Sequence, residues 1–191
     1  MKIGVFGGTF DPPHNGHLIV AEYVRHRLGL NRIIFVPSWM SPHKQERQVT
    51  DASYRLSMLR AAVQGTPGLE VSDVEVRRGG VSYTVDTLRR LATDTRAELF
   101  LLIGADNFIE FGTWHQPEEI LSLARLVVMT RPGSPLPVEP GLPPEVIHVD
   151  VPDIKVTATE VRTRVRAERS IRHLVPERVE KYIQEQHLYK D

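Results

Sequence analysis

The segment GGTFDPPHNGH, residues 7–17, gathers groups that can handle phosphate. Gly7 and Gly8 let the backbone come close to a ligand. His14 and His17 stand three apart at the entrance of an expected helix, so both rings can face one point. Gly16 at that helix start exposes N–H groups, and a helix N-terminus favours an anion. Two imidazoles beside it can donate hydrogen bonds to phosphoryl oxygens, which suits a transition state with charge spread over those oxygens. The pattern is not the dinucleotide fingerprint, which needs G-x-G-x-x-G. Nor is it the P-loop, which needs a Gly-Lys-Ser/Thr ending. Zinc is the other reading of a His-x-x-His pair, and no third ligand is evident for it.

Further segments carry weaker signals, each with a plainer alternative. Thr159 is placed to cap a helix whose N-terminus could hold phosphate oxygens, and Arg162, one turn in, adds a planar cationic donor. The plain alternative is a capped helix with solvated arginines, since Arg164, Arg166 and Arg169 follow. Asp106, in Gly104-Ala105-Asp106, stands just past an apolar strand, where a carboxylate can bind ribose hydroxyls or simply cap a helix. Lys44 is one of only five lysines and lies in a long polar loop, where solvation alone would account for it. Trp114 is one of two tryptophans and could pack in a core or stack on a flat cationic ring.

The elements that must position these residues follow from periodicity. Short apolar runs at 2–6, 31–36, 69–76, 98–103, 125–129 and 146–149 read as strands. Helical spacing marks 16–28, 51–64, 84–93, 117–122, 159–166 and 177–186, with Asp51 as a cap and Pro117 suited to a first turn. Strands alternating with helices imply a parallel sheet covered on both faces, an α/β fold. In such a sheet ligands bind at the carboxyl ends of strands, which is where residues 7–17 fall. The polar loop 38–50 and the proline-rich loop 131–144 interrupt the pattern without ending it. A single domain over 1–191 is therefore expected, its C-terminal helical part from about residue 157.

Composition narrows the function classes. The 191 residues hold 24 basic and 24 acidic side chains, and a balanced charge argues against a non-specific nucleic-acid binder. With no cysteine, thiolate zinc sites, iron–sulfur clusters and cysteine nucleophiles are excluded. Only four apolar residues precede Gly7, too few for a signal peptide, and the run 99–103 is far short of the ~20 residues of a membrane span. The expectation is a cytoplasmic protein with no membrane partner; its oligomeric state is open.

Residues 7–17, with His14-Asn15-Gly16-His17 at their end, resemble the signature of the nucleotidyltransferase superfamily with the T/H-x-G-H motif. The resemblance implies a Rossmann-like doubly wound sheet and direct transfer of a nucleotidyl group from a nucleoside triphosphate, with Mg2+ accompanying ATP. It makes His14 and His17 catalytic and extends ATP contacts to Gly7, Gly8, Thr9, Phe10, Gly104 and Asp106. Val156 to Arg162, VTATEVR, resembles the superfamily's I-S-S-T/S-x-I-R, placing Thr159 and Arg162 on the ATP phosphates, with Ala158 standing where the pattern has a serine. Pro42-His43-Lys44 is similar to a segment that gives a phosphate-facing cation.

Three segments resemble the bacterial nicotinate-nucleotide adenylyltransferases more narrowly. They are Tyr83-Thr84-Val85-Asp86-Thr87, Trp114-His115 where relatives carry Trp-Tyr, and Thr130-Arg131-Pro132-Gly133 where relatives carry R-R-P-G. The resemblance implies that Lys44, Tyr83, Thr84, Trp114, His115 and Arg131 bind nicotinate mononucleotide. It implies that Thr84, at a helix start, receives the nicotinate carboxylate and that Trp114 stacks on the pyridinium ring. The expected reaction joins ATP and nicotinate mononucleotide into deamido-NAD and pyrophosphate. The alternatives are another acceptor within the superfamily (phosphopantetheine or nicotinamide mononucleotide) and a non-catalytic nucleotide sensor.

Overall fold

Strands that are apolar on both faces must be covered twice, and this dictates the layers of the molecule. The computed structural model describes residues 1–40, 49–130 and 145–190. Strand β1 (Lys2–Gly8) leads to helix α1 (Asn15–Arg27), β2 (Arg32–Pro37) to α2 (Ala52–Val63), and β3 (Leu69–Val71) to α3 (Val74–Arg78) and α4 (Thr84–Thr95). Then come β4 (Glu98–Gly104), α5 (Ala105–Ile109), a 3₁₀ turn (Phe111–Thr113), α6 (Pro117–Leu123), β5 (Ala124–Thr130), β6 (Ile147–Asp150), α7 (Ala158–Arg166) and α8 (Glu177–Glu185).

All strand pairs are parallel and the order is β3-β2-β1-β4-β5-β6. This is the expected doubly wound, Rossmann-like sheet. Its strand order reverses between β1 and β4, and a crevice opens there beyond their carboxyl ends. Alternation along β4 serves both faces. Leu99, Leu101 and Ile103 pack with Val85, Leu88 and Leu91 of α4. Phe100 and Leu102 pack with Ala21 and Val24 of α1 and Leu59 and Val63 of α2. Each such buried side chain is worth ~1.5–3 kcal/mol. The C-terminal helices form a third cluster, in which Val161, Val179 and Ile183 meet Met58 and Ala62 of α2.

One expected element is corrected. The run 69–76 is a three-residue strand followed by a five-residue helix, not one strand. The alternation Val74-Glu75-Val76 imitates a strand, but Ser72 and Asp73 turn the chain, and Ser72 Oγ accepts a hydrogen bond from the N–H of Val74 at 3.4 Å. Asp51 caps α2 as expected, accepting from the N–H of Ser53 at 2.8 Å. Lys44 and Arg131 lie outside the described residues.

Candidate active site

His14 is the N-cap of α1, and His17 lies one turn in. Their rings stack with centroids 3.6 Å apart and planes 25° from parallel. The backbone N–H of His14 donates to Nδ1 of His17 at 3.1 Å. With Nδ1 accepting, a neutral His17 carries its proton on Nε2 and is a donor there. His14 is buried, and that burial holds its pKa down to about 4, so it is neutral at physiological pH. Gly16 makes room for the stack, since a Cβ there would lie 3.0 Å from His14 Nδ1. Phe10 packs edge-on against His17 with centroids 5.0 Å apart.

The first loop is tied down from distant parts of the chain. Arg55 of α2 is 1% exposed and donates to three carbonyls: Thr9 at 2.8 Å, Trp39 at 3.1 Å and Thr50 at 2.7 Å. Burial disfavours its charge, and Asp11 opposes that effect. The carboxylate of Asp11 accepts from the Tyr189 hydroxyl at 2.6 Å and from the N–H of Thr50 at 3.2 Å. Arg162 of α7 donates to the Asp11 carbonyl at 2.7 Å. The N–H of Asn15 donates to the carbonyl of Leu174 at 2.9 Å.

A cavity of about 500 Å³ opens at the carboxyl ends of β1 and β4. Gly7, Gly8, Thr9 and Gly104 form one side of it. Tyr83 and Thr84 at the start of α4, with Trp114 and His115 after the 3₁₀ turn, form the other. The rings of Tyr83 and His115 lie 4.4 Å apart, joining these two segments. Trp114 packs against Phe111 with centroids 5.5 Å apart. Tyr83, the N-cap of α4, makes no side-chain cap, so the opening of that helix is uncovered by its own cap residue. Glu75 lies buried in the cavity wall, and burial raises its pKa against hydrogen bonds from Thr87 and Ser82.

Comparison with known proteins places this geometry. The family model described as cytidylyltransferase-like matches residues 5–164. The nicotinate-nucleotide adenylyltransferase of Bacillus subtilis is 40% identical, with 99% of this chain and 98% of that one covered. A Thermomicrobium roseum protein named "Probable nicotinate-nucleotide adenylyltransferase" is 44% identical, with 99% and 92% covered. The chain belongs to the nicotinate-nucleotide adenylyltransferase family. In fold it is similar to Plasmodium falciparum nicotinic acid mononucleotide adenylyltransferase, solved as a complex with NaAD. The TM-score is 0.77 at 16% identity, covering 98% of this chain and 97% of that one.

Within this nicotinate-nucleotide adenylyltransferase fold, eight of the expected site residues line the cavity: Gly7, Gly8, Thr9, Tyr83, Thr84, Gly104, Trp114 and His115. His17 stands beside it, its ring 6.2 Å from that of the lining residue Phe6. Asp106 is exposed in the first turn of α5, whose cap is Gly104. One reading changes, and two expected site residues are seen to have structural contacts as well. The cap of α7 is Thr157, which accepts from the N–H of Glu160 at 3.0 Å; Thr159 is helical and its hydroxyl accepts from Arg162 at 3.2 Å. Arg162 also holds the first loop through Asp11. The Phe10 side chain is 3% exposed within the core, where it packs against His17. Sequence reasoning missed Arg55, Asp11 and Glu75; a polar residue inside an otherwise apolar helix face was the one signal for Arg55.

Proposed function

We propose that this chain joins ATP and nicotinate mononucleotide to give deamido-NAD and pyrophosphate, the adenylyl transfer of NAD biosynthesis. One observation supports it most. A single cavity runs from the glycine-lined ends of β1 and β4 to the uncapped opening of α4 and Trp114, with the stacked histidines at its edge. An oxygen of the mononucleotide phosphate attacks the α-phosphorus of ATP. The bond from that phosphorus to the bridging oxygen breaks, and pyrophosphate leaves with the electron pair. No side chain need act as a nucleophile; positioning and charge stabilisation suffice.

His17, donating from Nε2, and neutral His14 stabilise the developing charge in this reading. Gly7, Gly8, Thr9 and Phe10 line the path of ATP, with Gly104 and Asp106 at its ribose. Thr159 and Arg162 are assigned to its phosphate tail, and Lys44 is assigned there on its Pro42-His43-Lys44 segment alone. Thr84 receives the nicotinate carboxylate at a helix N-terminus, where an anion is favoured. Trp114 stacks on the pyridinium ring, while Tyr83, His115, Lys44 and Arg131 complete the acceptor site.

Mg2+ bound with the triphosphate would offset its charge. The described residues gather no group of three His, Cys, Asp or Glu side chains that could cage a metal. Mg2+ commonly keeps several waters and binds through one or two carboxylates plus substrate phosphates, and in this reading the ion enters with ATP. No described helix is long and apolar enough to cross a membrane, and the proposed place of the reaction is the cytoplasm.

Pyrophosphate release measured with ATP and a panel of acceptors tests the reading. Nicotinate mononucleotide should give the highest kcat/KM. Equal efficiency with nicotinamide mononucleotide would make the enzyme dual-specific. Turnover with phosphopantetheine alone would make it a different transferase, and ATP binding without turnover would make it a sensor.

A further inference from the structure

The adenylyl transfer described above uses no step at Glu75, yet this carboxyl group is 7% exposed in the wall of the cavity. Its partners are specific. Thr87 Oγ1 donates to Glu75 Oε1 at 2.6 Å, and the Ser82 hydroxyl lies close enough to the same carboxyl group to favour its charged form. Ser82 Oγ in turn accepts from the N–H of Trp39 at 2.9 Å, and the N–H of Ser82 donates to the Met40 carbonyl at 2.9 Å. Glu75 thus holds Thr87, one turn into α4, and neighbours Ser82, whose own hydrogen bonds reach the chain that follows β2. A buried carboxyl group is costly, and an apolar residue of similar volume generally serves a fold as well or better. What a carboxyl group adds is direction, because the Thr87 hydroxyl must point at its oxygen.

We propose that Glu75 is a positioning residue for the acceptor: by accepting a hydrogen bond from Thr87 it orients the Tyr83–Thr84 opening of α4 and so sets affinity for the mononucleotide and the choice between its nicotinate and nicotinamide forms. The proposal rests on the acceptor site assigned in the preceding subsection. It adds a residue that does not itself touch the acceptor's ring substituent.

The test compares Glu75→Ala, Glu75→Gln and Thr87→Val by steady-state kinetics with ATP and each mononucleotide, alongside thermal unfolding. Glu75→Ala loses the Thr87 hydrogen bond and should raise the KM for nicotinate mononucleotide by about 10- to 100-fold, the range expected for a hydrogen bond to a charged group. The KM for ATP should stay near its wild-type value, and the nicotinate preference should shrink. Glu75→Gln should restore most of the affinity, since its carbonyl can accept from Thr87 and its amide can donate to Ser82 Oγ. Thr87→Val keeps the shape, removes one donor and should raise the same KM by a smaller factor.

A parallel rise in both KM values, or a lowered unfolding midpoint with unchanged acceptor KM and preference, would overturn the proposal. If Glu75→Ala does not fold, Thr87→Val decides: an unchanged acceptor KM sinks the positioning role. Failure of the wild-type enzyme to use nicotinate mononucleotide is a separate result, and it would overturn the acceptor assignment itself.

Discussion

The two ends of the cavity are built in opposite ways. At the first loop, the hydrogen bonds come from far away in the chain: Arg55, Arg162, Leu174 and Tyr189 all converge on residues 9–15. At the other end some contacts are closer in sequence, with Glu75 and Thr87 twelve apart. Ser82 reaches back to Trp39 and Met40, and Tyr83 faces His115. None of these spans the length of the chain as those of Asp11 do. The difference fits the two tasks. Donors that stabilise a transition state act best when fixed before the reaction, because they then cost no reorganisation. An acceptor pocket must instead match the shape and polarity of one substrate, and contacts of shorter span serve that.

The sharpest way to break this contrast is His17→Ala. Loss of one transition-state donor costs ~10²–10³ in rate, with ATP affinity largely kept. Near-normal turnover at saturating substrate would remove His17 from the chemistry. Next in size is Arg55→Met, which keeps bulk but leaves the carbonyls of Thr9, Trp39 and Thr50 without this donor. A loss of roughly 3 kcal/mol is expected from equilibrium unfolding in urea. The KM for ATP should rise more than the KM for the mononucleotide, whose site Arg55 reaches only through Trp39 and Ser82. A mononucleotide effect equal to the ATP effect would mean that the two ends are not separately held.

The same contrast explains what could be read from the sequence. The first loop is contiguous, so its histidines, glycines and their place after β1 were legible, as was the alternation that makes the parallel sheet. The residues that hold this loop were not. Arg55 lies within α2, and its three carbonyl partners come from separate loops that no local pattern connects. Tyr189 is 178 residues from Asp11. Glu75 was hidden for another reason: a glutamate between valines reads as the solvent side of a strand, whereas here it is the buried side of a short helix. The cap of α7 was misplaced by two residues because Thr157 and Thr159 are equally good cap formers, and only backbone geometry separates them.

A smaller effect comes from burial at the histidine pair. His14 has an ordinary value of 6.5 and is held down to about 4 in the folded protein. Between those values the unfolded chain binds a proton that the folded chain does not, so stability rises with pH across this window. The penalty is complete below pH 4 and absent above 6.5. From pH 7 to pH 5 this group alone should remove about 2 kcal/mol. Glu75, with its raised pKa, acts in the opposite direction, but it does so equally in a variant. Urea unfolding at the two pH values, wild type against His14→Asn, therefore isolates the histidine, and asparagine keeps a good N-cap. An equal pH dependence in both proteins would show that His14 is not the buried neutral group described.

The smallest effect is expected at the acceptor end, from Trp114→Ala. The indole packs on Phe111 and also lines the cavity, so its removal acts on both packing and binding. Stacking on a cationic ring is worth ~0.5–2 kcal/mol, which corresponds to a loss of roughly tenfold in affinity. The ring is a pyridinium in both the nicotinate and the nicotinamide mononucleotide. The loss should therefore be similar for the two, leaving the preference between them intact. Changes at Glu75 should do the reverse, shifting preference as well as affinity. Calorimetric titration of the variant with each mononucleotide checks this. A loss confined to the nicotinate form would move the source of discrimination from the α4 opening to Trp114, and a KM for ATP that rises equally would show that the two ends share one scaffold after all.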